Sequence, residues 1–93
     1  MFLHLGRDVA VPVDSIILVF DMDTATWSRH TRAYLAAAEK DGKVFVITEE
    51  LPKSAVVCRE KDDVVVYISQ ISSRTLLKRL EEGVDGLSDV ELS

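Results

Sequence analysis

The chain has 93 residues, 47% of them hydrophobic and 29% charged, the balance of a single soluble globular domain. Its net charge of -5 sits entirely in the last thirteen residues, where Glu81, Glu82, Asp85, Asp89 and Glu91 meet no Lys or Arg, so residues 1 to 80 are neutral overall. The longest large apolar run, Ile16 to Phe20, is far short of the roughly 20 residues that cross a bilayer, which excludes a membrane helix and predicts a cytoplasmic protein.

Phe2 to Leu5 alternates, Gly6-Arg7-Asp8 supplies a turn, and Val9, Val11 and Val13 share one face of a second strand, so a hairpin opens the chain. Ile16 to Phe20 has no polar face, which predicts a strand covered on both sides. Trp27, Thr31, Tyr34, Leu35 and Ala38 then recur at helical spacing. Thr24, Thr26 and Ser28 offer cap hydroxyls and Gly42 a stop, which predicts a helix over about 28–41.

Lys43 to Ile47 reads as a fourth strand, and Glu49 to Lys53 as a loop in which Pro52 removes a ladder donor. Ser54–Arg59 and Val64–Ser69 flank the turn Glu60-Lys61-Asp62-Asp63 as a second hairpin. A last helix with cations on one side runs from Ser73 to Glu82, capped by Ser72 or Ser73, burying Leu76, Leu77 and Leu80 and stopping at Gly83. The segment 84–93 then reads as an acidic, disordered tail.

The fold class is therefore α+β: one small antiparallel-rich sheet domain over residues 1–83, with about six strands and two short helices. Two short helices cannot cover both faces of four apolar strands. The second cover comes from sheet-on-sheet packing or from another subunit, and a chain this small gains stability by association.

Little in the sequence assembles a catalytic centre. Cys58 is the one cysteine, which excludes a disulfide framework, and its run Ala55-Val56-Val57-Cys58 marks a buried, inert thiol. His4 and His30 have no Cys, Asp or Glu at metal-ligand spacing, so no metal or cofactor is expected. Ser69, Ser72 and Ser73 lack a paired base and fit caps and turns, and Trp27 fits helix-to-sheet packing. The strand exit Asp21-Met22-Asp23 imitates the first motif of haloacid-dehalogenase-type phosphatases. Ala25, the short chain and the tight turn around Asp62-Asp63 all depart from that pattern.

Across residues 1 to 80 the chain resembles the extracellular matrix regulatory protein B (RemB-like) family. The resemblance is carried by HLG at His4–Gly6, LPKS at Leu51–Ser54, SQIS at Ser69–Ser72 and TLLKR at Thr75–Arg79. The related RemA branch comprises small DNA-binding regulators similar to LytTR-type domains that form rings and activate matrix genes. The resemblance therefore implies a LytTR-like fold and a non-enzymatic transcriptional regulator of biofilm genes, acting on double-stranded DNA as a ring-like homo-oligomer. That branch has an arginine-rich loop before its fifth strand, whereas here the loop is Glu49-Glu50-Leu51-Pro52-Lys53, which weakens phosphate capture.

The candidate phosphate contacts are Arg29, Arg32 and Lys53, the first two near a helix N-terminus. Leu51 and Pro52 are the candidate oligomer-interface residues. In the alternative reading that loop and the apolar strands serve a protein-interaction subunit that has lost DNA binding.

Overall fold

A computed structural model describes the backbone of residues 1–22 and 29–92 and the side chains of 1–22 and 29–82. Strands β1 (Phe2–Gly6) and β2 (Val9–Pro12) form a hairpin, and a 3-10 turn at Val13–Ser15 leads into β3 (Ile16–Asp21). Then come α1 (Arg29–Lys40), β4 (Val44–Val46), β5 (Ser54–Glu60), β6 (Asp63–Ser69) and α2 (Ser73–Leu92). The result is a small α+β domain with two sheets, β1-β2 and the four-stranded β3-β5-β6-β4. Within the larger sheet only β4 and β6 are parallel.

The centre of that sheet is a continuous apolar run. Ala55 to Cys58 on β5 are all buried, because one side faces the hairpin and the other faces α1. On the hairpin side Leu3, Leu5 and Val11 close over Val56, Cys58 and Val65, with Leu76 of α2 completing the cluster. On the other side Leu35 and Ala38 of α1 cover Ala55, Val57, Val66 and Ile68. Burial pushes the Cys58 thiol pKa up, Ser15 lowers it by hydrogen bonding and Glu60 raises it, which leaves a weakly nucleophilic thiol in the core.

The predicted turns hold, with tighter geometry. Gly42, at φ 73, ends α1 in a Schellman motif: its N–H donates to Glu39 O (3.0 Å) and Lys43 N–H to Ala38 O (2.9 Å). The second hairpin pairs Glu60 with Asp63, so its turn is the two residues Lys61-Asp62, with Lys61 at φ 56. Ser72 is the cap of α2, its Oγ accepting the Thr75 N–H at 3.2 Å.

Several expectations are corrected. The run Ile16 to Phe20 is not covered on both sides: β3 is an edge strand with a bulge between Ile16 and Leu18, and Ile17 and Leu18 are about half exposed. Apolar composition reported a strand here but not its place in the sheet. Leu77 does not join Leu76 and Leu80 in the core. One position is a 100° step around a helix, and Leu77 is 49% exposed where Leu76 is fully buried.

The last helix runs through Gly83 to Leu92. A glycine inside a helix costs only about 1 kcal/mol, and no proline follows it to enforce a stop. The second cover of the sheet is the β1–β2 hairpin, so sheet-on-sheet packing within one chain provides it. Trp27, Asp23 and the cap hydroxyls of Thr24, Thr26 and Ser28 lie outside the described residues.

Candidate nucleic-acid interface

Topology gathers the predicted cations at one end of the larger sheet. β3, β4 and β6 all finish there and β5 starts there, so the loop 47–53, the start of α2 and the start of α1 converge on it. Lys53 lies between two strand ends: its N–H donates to Ser69 O (2.8 Å) and its carbonyl accepts the Met22 N–H (2.9 Å). Arg32 lines a groove with Met22 and Ile68, the latter at the finish of β6, and Arg29 is three residues earlier on α1, nearer its N-terminus. Both arginines are exposed, as is Lys53.

Buried hydroxyls hold this end in place. Ser54 and Ser69 are opposite each other in the β5–β6 register and both are fully buried. Ser54 Oγ donates to Ile71 O (2.7 Å), while Ser69 Oγ donates to Leu5 O (2.5 Å) and accepts the Ile71 N–H (3.0 Å). Two motif serines thus tie the loop entering α2 to the sheet and to the first hairpin. Thr48, also buried, donates to Gln70 Oε1 (2.6 Å) and accepts the Glu50 N–H (2.9 Å), which fixes the start of the 47–53 loop. Arg7 reaches Glu49 at 2.9 Å, so one of the two loop carboxylates is paired.

The structure adds cations that the sequence reading did not single out. Arg74 and Lys78, four residues apart on α2, share a depression with Asp21, Ser73, Leu77 and Glu81 beside the end of β3. Arg79 faces another way and lines a second depression with Phe2, His4 and Leu80, so the cations of α2 are not all on one side. The i, i+4 spacing of Arg74 and Lys78 was legible. Their position beside Asp21 depends on where β3 ends, which no local pattern states.

Leu51 and Pro52 lie in the same loop, and Leu51 is the most exposed large apolar residue described, at 75%. His4 and His30 are exposed, with His4 Nε2 2.6 Å from Arg7 O. Asp21 ends an edge strand paired antiparallel to β5. Among the described residues, no three of His, Cys, Asp or Glu are grouped to hold a metal ion. No helix of the described chain is long and apolar enough to cross a membrane. No family model matches the chain, and a search of curated proteins finds no match for it.

Proposed function

We propose that the protein is a non-enzymatic, DNA-binding regulatory subunit of the RemB-like kind that works as a homo-oligomer. The observation that carries the reading is that Lys53, Arg74 and Lys78 lie at one end of the sheet, with Arg29 at the start of α1 at the same end on the opposite face. Phosphate contacts supply most of the affinity for duplex DNA, and cations on rigid elements at one end suit a rod of evenly spaced phosphates. Asp21 and Glu81 lie among these cations, so a single subunit binds weakly. Repetition of the patch in an assembly multiplies that weak contact by avidity. The resemblance at LPKS and SQIS supports the same reading, since those motifs contain Lys53, Ser54 and Ser69, which build this end.

The test is fluorescence anisotropy with a labelled duplex over a salt series, for the wild type, Lys53→Glu and the double variant Arg74→Glu, Lys78→Glu. Each lost phosphate contact flattens the slope of log affinity against log salt by about 0.9, so both variants bind more weakly and less salt-dependently. Wild-type protein that leaves the duplex free at low salt would falsify the reading.

A further inference from the structure

A second surface suited to a partner lies on the outer edge of β4. Two hydrogen bonds of its ladder fix which way its backbone faces: Lys43 O accepts from Val66 N–H (2.8 Å) and Ile47 N–H donates to Ile68 O (3.0 Å). Backbone groups alternate sides along a strand, so residues 43, 45 and 47 face β6, while the N–H and C=O of Val44 and Val46 face outward. Among the described residues, no further strand of the sheet lies beyond them. The side chains there are apolar and open to solvent: Phe45 is 46% and Val46 63% exposed. The strand is short, at three residues, but it has neither the bulge that distorts β3 nor a charge within it, two of the devices that keep an edge from pairing.

We propose that this edge pairs with the β4 edge of a second copy across a two-fold axis at Phe45, joining two four-stranded sheets into one of eight. Three independent features of the surface are self-complementary about that axis. The first is hydrogen-bond parity: an antiparallel register centred on Phe45 sets Val44 against the partner's Val46, and these are the residues whose N–H and C=O groups face outward. The second is aromatic. Phe45 already packs on Tyr67 (centroids 5.7 Å apart), and the axis places Phe45 against its own copy, giving a row of four rings on one face.

The third feature is charge. On the opposite face, the groove between α1 and β4 has Val44 and Val46 in its floor and Arg32, Leu35, Ala36 and Glu39 along its helical wall. Antiparallel pairing of the strands makes the two α1 helices antiparallel, and a centre between Leu35 and Ala36 sets Arg32 against the partner's Glu39 on both sides of the axis. α1 also covers β5, and its Tyr34 ring lies 6.4 Å from that of Phe20 of β3, so the helix is set back from the edge and the long Arg32 and Glu39 side chains span the distance across the seam.

The inference deepens the assembly part of the reading above, names its partner as a second copy of this chain, assigns Arg32 to the seam in place of a phosphate contact, and is read by mass without any duplex present. Sedimentation velocity over a dilution series tests it. Wild type is expected as a dimer of 10.4 kDa chains, or a multiple of it, and Val46→Asp, which sets two carboxylates in the seam, halves the mass. Arg32→Glu and Glu39→Arg each raise the dissociation constant about tenfold or more, and the two together restore it to within about threefold. Arg32 and Glu39 are exposed helix positions, so those variants fold even if Val46→Asp does not, with far-ultraviolet circular dichroism as the check.

Restoration in the double variant is the outcome a merely structural role cannot produce. An oligomer whose mass none of these substitutions alters overturns the β4 seam and leaves duplex binding to the anisotropy test. A monomer at every concentration up to roughly 100 μM, a dissociation constant far weaker than a stable dimer's, overturns the seam and the homo-oligomer together.

Discussion

On the hairpin side of the central sheet, Val56, Cys58 and Val65 are met by Leu3, Leu5, Val11 and Leu76, all of them buried. On the α1 side, Val57, Val66 and Ile68 are met across the interface by Leu35 and Ala38, which are only half-buried, and α1 contributes no fully buried residue. The two faces carry the same kind of side chain, yet among the described residues one is sealed by three elements and the other is covered by a single helix whose own apolar side chains stay half-exposed. Burial on the first face stabilises the chain by itself. Apolar surface left on the second, with the groove beside β4, remains available to a partner.

Truncation should expose that asymmetry most strongly. Leu76→Ala removes a fully buried side chain from the sealed face and is expected to cost about 2–5 kcal/mol, whereas Leu35→Ala on the open face costs about 1 kcal/mol. Urea denaturation of the two variants measures the difference, and equal losses would mean that α1 seals its face as well as the hairpin does. A smaller effect follows at the polar pins of the sealed face. Ser69→Ala leaves the Leu5 carbonyl and the Ile71 N–H without their shared partner in a buried place, a loss of about 1–3 kcal/mol. Ser69→Thr, which keeps the hydroxyl, separates the bond from the volume.

Local signals reported most of the elements, and their limits are physical. Alternation at Val9, Val11 and Val13, the Gly42 stop and the charged turn after Arg59 each depend on neighbours within a few residues, and each is present. Strand order depends on pairings far apart in the chain. Ile16 to Phe20 and Ala55 to Cys58 are equally apolar in sequence, yet one became an edge and the other the centre. The candidate site shows the same division. Lys53, Arg29 and Arg32 were legible as cations near element ends, while their convergence with Arg74 and Lys78 needed the sheet topology. The pins Thr48 and Gln70, 22 residues apart, had no sequence signal at all.

The smallest expected effect lies where the sealed face meets the β4 edge. Tyr67 donates its hydroxyl hydrogen to the Glu60 carboxylate, whose two oxygens lie 3.0 and 2.9 Å away. Burial first, and then the hydrogen bond and charge of Glu60, push its pKa from the ordinary 10 up to about 12. Both causes disfavour the tyrosinate, so the folded state holds the proton more tightly than the unfolded chain does. The resulting stabilisation is fully present below pH 10 and is lost as pH rises from there through about 12. Because Glu60 is exposed and its charge is screened by solvent, the contribution is about 1 kcal/mol, less than the shift alone would imply. Absorbance titration of tyrosinate should show a late component in the wild type that Tyr67→Phe removes. Denaturation across the same alkaline range should then show wild-type stability falling more steeply than that of Tyr67→Phe. A single ordinary tyrosine midpoint in the wild type would mean that Glu60 does not hold the Tyr67 proton, and that the Phe45–Tyr67 corner belongs with the open β4 edge and not with the sealed face.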